Sequence, residues 1–328
     1  MKLASLPGPG PDGRLIVIDR TVTRGLEVPH IAARLQDALD TWTDVAPRLE
    51  EAYAHLNEGA GFPIDSSQFI APLPRAYQFL DGSAYSEHMS VIRQARGAKL
   101  PDGYADVPVI YQGTGAPMMG PRDPIIVPDK EGLDLDFEAE LIVITDAVPL
   151  GASARQAERH IRLIGLLNDV SFRAFVPTEV ARGMGLIHSK PLNAMAPILV
   201  TPDELGAAWV NAKASGRYKC EVNGVRIGEL DPGADLMFSY AELLAYAART
   251  RPLAAGTVLG AGAIANKDRA NGCGCLAELR ARQTLEGAAV LSPYLREGDR
   301  VTLAMYDAAG RSVFGTIDQT VVTQPTLN

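Results

Sequence analysis

Two periodicities alternate along this chain, and they divide it. Lys2–Leu6 and Leu15–Arg20 are short strand-like runs separated by a stretch rich in Pro and Gly, which predicts an N-terminal hairpin. From Ile31 to Leu56 the period becomes helical, with Leu35, Leu39, Trp42, Ala46, Leu49, Tyr53 and Leu56 recurring at three and four. Pro47 has no N–H to give a helix interior, so the pattern predicts two short helices, the second capped by Asp44. Gly59-Ala-Gly-Phe-Pro63 and Ala71-Pro-Leu-Pro74 then mark the end of a small N-terminal α/β domain, residues 1–74.

Beyond residue 75 strands and loops dominate. Ser153-x-x-Gln156 and Ser239-x-x-Glu242 are capping boxes, which predict amphipathic helices over 153–167 and 239–250. The runs Val301–Asp307 and Arg311–Asp318 flank a small turn and predict a C-terminal hairpin. Strands that do not alternate regularly with helices predict an α+β, mainly β domain over 75–328 in place of a doubly wound sheet.

A hydrophobic fraction of 47% and a charged fraction of 21% suit one large core and a smaller one. The net charge of −8 is dispersed and no basic run occurs, which argues against a nucleic-acid partner. No segment approaches the roughly 18 uninterrupted apolar residues of a membrane span, and the N-terminus carries Pro and Gly where a signal peptide needs an apolar stretch, so a cytoplasmic protein is expected. Cys220, Cys273 and Cys275 are odd in number, and a lone Cys-x-Cys lacks zinc-site spacing; reduced, non-ligand thiols are expected.

The most informative segment is Leu135–Ile144, where Leu135, Phe137, Ala139 and Leu141 alternate with Asp136, Glu138 and Glu140. As one strand it places the acids on one face about 7 Å apart, where they repel, and burial of so apolar a strand would require a counter-charge such as a divalent cation. A solvent-facing edge strand shows the same alternation. Two further acids follow apolar runs: Asp81 after Phe79-Leu80, and Asp169 at the end of the predicted helical run Leu166-Leu-Asn. Each alone reads equally well as a cap or turn residue.

The order of the motifs resembles the fumarylacetoacetate hydrolase family, in particular a bacterial subgroup with a short alternative N-terminal domain. The series is Asp81 with His88, Tyr111-Gln-Gly113, Glu138-Ala-Glu140, Asn168-Asp169-Val-Ser171, Ser189-Lys190-Pro191, and Gly272-Cys-Gly-Cys-Leu-Ala-Glu278. No one motif is specific; the order of six, across residues 75 to 318, is. The resemblance implies a mixed β-sandwich or roll catalytic domain, a homodimer, and metal ligands Asp81, Glu138, Glu140 and Asp169. It further implies His88 as general base, Glu278 orienting it, Lys190 facing the substrate, and Tyr111, Ser83, Arg93 and Ala263 at substrate-binding positions. The chain departs from the pattern at Ser83, where a Tyr is usual, at Val176, where a Gln is usual, and at Ala263, where a Thr is usual. The substrate-carboxylate Arg has no aligned counterpart, although Arg93 and Arg96 lie nearby.

Oxygen-only ligands suit hard cations, so Mg²⁺, Mn²⁺ or Ca²⁺ is expected and Zn²⁺ is not. The implied reaction is hydrolysis of a carbon–carbon bond in a small diketo acid, an acylpyruvate or a fumarylacetoacetate-like compound. Decarboxylation of an oxaloacetate-type acid, or hydration or isomerisation of a 2-oxo-enoate, is the alternative on the same ion. Gly260-Ala-Gly262 has the look of a dinucleotide loop, but the polar segment 266–272 follows where an apolar helix would be needed. The glycines are therefore expected to let a loop approach the substrate closely.

Overall fold

A computed structural model describes residues 1–100 and 102–324, so the last four residues of the expected 75–328 unit lie outside it. The chain begins with strands β1 (Lys2–Leu6), β2 (Arg14–Ile18) and β3 (Arg24–Glu27), helices α1 (Leu35–Asp40) and α2 (Trp42–Asn57), and the short β4 (Phe62–Pro63). It continues through β5 (Gln78–Gly82), α3 (Ser86–Ala95), β6 (Ile110–Gly113), β7 (Ile125–Pro128), β8 (Leu135–Asp136), β9 (Ala139–Thr145), α4 (Ala154–Glu158), β10 (Ile161–Asp169) and β11 (Ser171–Phe172). Next come α5 (Val176–Arg182), β12 (Asn193–Met195), β13 (Leu199–Val200), the small hairpin β14 (Trp209–Val210) and β15 (Lys213–Ala214), β16 (Arg217–Val222), β17 (Val225–Leu230) and α6 (Tyr240–Ala247). The last elements are β18 (Thr257–Gly260), α7 (Leu276–Leu285), β19 (Arg300–Tyr306) and β20 (Ser312–Gln324).

One large sheet runs β4-β3-β2-β1-β13-β10-β9-β18-β5-β6, with β12 added beside β10, and a second runs β17-β16-β19-β20-β7. Both expected hairpins form: β1 pairs antiparallel with β2 and β19 with β20. The first hairpin does not stand apart, because β1 also pairs with β13 at Lys2↔Val200 and Leu3↔Leu199, carrying the large sheet across the 74/75 junction.

The period of two sorts the central strands between two apolar layers. Ile142 and Ile144 of β9, with Leu163 and Leu167 of β10, pack against Trp42, Leu49 and Leu56 of α2. Leu141, Val143, Ile164 and Leu166 point the other way, toward Val301 and Leu303 of β19 and Ile317 of β20. The large sheet is therefore covered by the N-terminal helices on one side and by the second sheet on the other. Each such side chain, fully removed from water, is worth roughly 1.5–3 kcal/mol.

Three expectations need correction. The run 153–167 is not one helix: the capping box at Ser153 and Gln156 forms, but α4 ends at Glu158 and Ile161–Asp169 is a strand in the middle of the sheet. Its residues are buried almost without break between two layers, so no helical stripe is available, and Gly165 lies so close to Leu199 that a Cβ would come 2.4 Å from Leu199 Cδ2. Secondly, α2 contains Pro47, and the break falls instead at Thr41. Pro47 lies in the second turn, so the helix forgoes one bond, to the carbonyl of Thr43, which is exposed and can be met by water. Asp44 sits in the first turn of α2 and does not cap it. Thirdly, Leu135–Ile144 is two strands. Phe137 and Glu138 interrupt it, so Asp136 pairs with Ser171 of β11 and leaves the face on which Glu140 lies.

Candidate metal centre

The carboxylates arise where one apolar layer of the large sheet ends. On β5, β9, β10 and β18 the residues Phe79, Ile142, Leu167 and Val258 all belong to the layer beneath α2. Two residues further along the same face come Asp81, Glu140, Asp169 and Gly260. Strand order and register finish the arrangement: Gly260 is opposite Asp81 on one side and Ile142 on the other, and Glu140 is opposite Leu167. The middle strand thus contributes no side chain. A Cβ at Gly260 would lie 2.3 Å from Glu140 Oε2 and 2.8 Å from Asp81 Oδ1, so only glycine leaves room for the two carboxylates. Glu138, in the interruption before β9, completes the group, its backbone N–H donating to Asn168 Oδ1 at 3.2 Å.

Asp81, Glu138, Glu140 and Asp169 are all buried, and one oxygen from each lies within 4.8 Å of the others. Both oxygens of Glu140 and Oδ1 of Asp169 are shielded from water and have no hydrogen-bond partner among the described residues. Such orphaned acceptors are costly unless something electropositive meets them. Four oxygen donors and unmet lone pairs fit one hard divalent cation.

The surrounding groups divide the four acids. Lys190, 6% exposed, donates to Asp169 Oδ2 at 2.6 Å and to Glu138 Oε2 at 2.9 Å. Arg173 bridges Glu138 Oε1 at 2.6 Å and Asp136 Oδ2 at 2.8 Å. Burial pushes Glu138 up, but Lys190 and Arg173 outweigh it and hold this carboxyl well below its usual range. Lys190 also lowers Asp81 and Glu140, but bonds to neither and is outweighed. Burial and the adjacent Asp169 push Asp81 up to about 8, and burial with Asp81 pushes Glu140 well above the ordinary range. Asp81 retains one fixed donor, Gly262 N–H at 3.0 Å, from a loop residue whose φ of +89° favours glycine.

A second group adjoins the first. His88 on α3 has Nδ1 3.1 Å from Glu278 Oε2 on α7. Glu278, fully buried, is held through its other oxygen by Arg282 at 2.6 Å, and Arg282 in turn reaches the carbonyl of Gly272. The start of α7 is fixed from the carboxylate side: Asp136 accepts the N–H groups of Leu276 and Ala277 at 2.8 and 2.9 Å. Asp136 therefore ties Arg173, and through it Glu138, to the helix that carries Glu278.

The other expected residues have varied settings. Tyr111 Oη donates to Asp169 Oδ2 at 2.7 Å. Ser83 is half-buried and uses its carbonyl to accept from Tyr104. Arg93 lies in the last turn of α3 and donates to the carbonyl of Lys99. Ala263 is buried beside Ile92 and Cys275. Outside the expected set, His188, two residues before Lys190, is exposed, and Glu179 receives its backbone N–H. Asp136 and Arg282 were not singled out from sequence as parts of the site, and Gly260, expected in a loop beside the substrate, ends a strand between two of the carboxylates. Asp136 was grouped with Glu138 and Glu140, and nothing short of the interruption at 137–138 could have separated it.

The model of the family described as fumarylacetoacetate (FAA) hydrolase C-terminal matches residues 78–322, and that of fumarylacetoacetase N-terminal domain 2 matches residues 1–75. None of the curated proteins matches the sequence. Among solved structures, maleylpyruvate hydrolase from Sphingobium sp. SYK-6 in complex with manganese(II) ion and pyruvate is similar at 16% identity with a TM-score of 0.66, covering 98% of this chain and 99% of that one. Fumarylacetoacetate hydrolase from psychrophilic Exiguobacterium antarcticum is similar at 18% identity and a TM-score of 0.63, over 99% and 100%. A 2-hydroxyhepta-2,4-diene-1,7-dioate isomerase from Mycobacterium marinum is similar at 17% and 0.61, over 99% of each chain. Identities this low speak for the fold alone.

Proposed function

The chain belongs to the fumarylacetoacetate hydrolase family, and from that premise we propose that it is a metal-dependent hydrolase cleaving a carbon–carbon bond in a small β-diketo acid of acylpyruvate type. The observation that carries the reading is the hydrogen bond between His88 and Glu278 beside a buried set of four carboxylates. Asp81, Glu138, Glu140 and Asp169 would hold one Mg²⁺, or Mn²⁺ or Ca²⁺. When bound, the ion supplies Lewis-acid polarisation of a chelating dicarbonyl and neutralises part of the carboxylate charge.

The remaining chemistry belongs to side chains of this chain. His88, its Nδ1–H directed at Glu278, takes a proton from water at Nε2, and Glu278 stabilises the imidazolium that results. The hydroxide adds to the distal carbonyl carbon. The bond between that carbon and its neighbour breaks, the electron pair leaves with the pyruvate-like fragment, and His88 returns the proton to that fragment's carbon. Lys190 supplies positive charge beside the developing anion, in a site from which water is largely excluded. Tyr111, Ser83, Arg93 and Ala263 are proposed to shape the substrate end. General base catalysis of this kind contributes roughly a hundredfold to ten-thousandfold.

The second reading, an oxaloacetate-type decarboxylase or a 2-oxo-enoate hydratase or isomerase, is favoured by the isomerase among similar structures. Those reactions need carbonyl polarisation more than a water-activating pair, so His88 and Glu278 support hydrolysis. The same proposal takes the protein to be a cytoplasmic homodimer, with residues 1–74 forming its small N-terminal domain and 75–328 its catalytic one. Ultraviolet assays with acylpyruvates, fumarylacetoacetate and oxaloacetate, in Mg²⁺ or Mn²⁺, test it. Turnover of an acylpyruvate is expected, abolished in His88→Ala while metal binding persists; unchanged turnover in that variant rejects the assignment of the base.

A further inference from the structure

Cys275 stands where the proposed reaction has no use for a thiol. It is fully buried at the start of α7, with Sγ 3.9 Å from His88 Nδ1 and 3.5 Å from the backbone nitrogen of Glu278. His88, Cys275 and Glu278 thus present a nitrogen, a sulfur and an oxygen, all within 4.8 Å of one another. A tetrahedral zinc ion with bond lengths of about 2.0–2.3 Å has ligand–ligand edges of about 3.3–3.6 Å. The separations of 3.1 Å from Nδ1 to Oε2 and 3.9 Å from Nδ1 to Sγ bracket that range. Arg282 occupies the other oxygen of Glu278, so Oε2 and Nδ1 of His88 need only exchange the proton between them for an ion.

We infer that His88, Cys275 and Glu278 form a second metal site, one for a soft or borderline cation such as Zn²⁺, whose occupation shuts off the hydrolysis proposed above. The four-carboxylate cluster selects hard ions, whereas a thiolate and an imidazole select softer ones, so the two sites divide cations between them. On binding, the Cys275 thiol loses its proton to solvent and Sγ, Nδ1 and Oε2 bond to the ion, leaving the fourth position for water. The proton formerly on Nδ1 is carried on Nε2, so the ring can no longer accept one from water. A dication with one thiolate and one carboxylate is locally neutral, which lowers the cost of placing it in a buried setting. The sequence hides this site because His88 and Cys275 are separated by 187 residues.

The inhibitory consequence rests on His88 being the base; the binding site does not. Protein kept in excess Mg²⁺ and titrated with Co²⁺ is expected to develop a thiolate-to-cobalt absorption band in the near ultraviolet that Zn²⁺ removes and that Cys275→Ser lacks. Zinc-edge X-ray absorption of the wild-type protein should show one sulfur at about 2.3 Å among nitrogen and oxygen neighbours at about 2.0 Å; that measurement decides the matter should the variant fail to fold. Low Zn²⁺ should suppress acylpyruvate turnover, with at least a tenfold higher concentration needed in Cys275→Ser. A zinc shell without sulfur, a cobalt band unchanged in Cys275→Ser, or equal inhibition of both proteins overturns the inference. Absence of any turnover sinks the proposed reaction while leaving the spectroscopic result to stand.

Discussion

Loading the carboxylate cluster with a divalent ion should release protons, and their number follows from the geometry. Without an ion, burial and Asp169 push Asp81 up to about 8, burial and Asp81 push Glu140 well above its ordinary range, and Glu138 stays ionised beside Lys190 and Arg173. A carboxyl with a pKa of about 8 is about nine-tenths protonated at pH 7, so Asp81 carries about one proton that an ion must displace, and the upward shift of Glu140 acts in the same direction. Affinity for Mg²⁺ or Mn²⁺ should therefore rise with pH, by up to about tenfold per pH unit from Asp81 alone below about pH 8, with that share levelling off above it. The same sign governs the ion-free fold. A carboxyl raised on folding binds more protons folded than unfolded, so its contribution is intact below the unfolded carboxylate range and is lost as the pH rises from about 4 to about 8. Titration calorimetry at pH 7 in several buffers measures the release directly, as the slope of observed enthalpy against buffer ionisation enthalpy. A slope of about one proton or more is expected; a slope near zero with pH-independent affinity would refute the reasoning.

Three substitutions probe other parts of the arrangement. Arg173→Met leaves Glu138 and Asp136 without their shared cation, and loss of one partner of buried ion pairs should cost about 3–5 kcal/mol, read from chemical denaturation. Gly260→Ala drives a methyl to 2.3 Å from Glu140 Oε2, so ion affinity measured calorimetrically should fall at least about tenfold while far-ultraviolet circular dichroism is unchanged. Glu278→Gln keeps the shape but not the charge that stabilises an imidazolium, and kcat should drop by roughly a hundredfold or more with ion affinity preserved.

The ligand set was legible only through the order of the motifs along the chain: Glu138 and Glu140, two apart, read equally well as a wet strand edge, and Asp81 and Asp169 each follow an apolar run as a cap or turn residue would. What misled was the conformation of one of those runs. Ile161-Arg-Leu-Ile-Gly-Leu-Leu167 is apolar on both faces as a strand buried between two layers, and such a run carries no period by which strand and helix differ. The capping box before it is real but serves a helix of five residues. Lys190 was expected to face the substrate; that its ammonium also lies against Asp169 and Glu138 was not legible, because an attraction between residues 21 and 52 positions apart leaves no trace in local pattern. Pro47 shows the opposite error, a rule about helix interiors applied to a second turn whose lost partner faces water.

The pairing of the first strand with β13 has a consequence for any attempt to trim the protein. Removing residues 1–74 would strip Trp42, Leu49 and Leu56 from Ile142, Ile144, Leu163 and Leu167, and would bare backbone donors and acceptors along a fresh margin of the sheet. The truncated chain would be prone to stick to its own copies, edge to edge, before any ion reached it. The carboxylate cluster and residues 1–74 share one sheet and one apolar layer, so neither is a spare part.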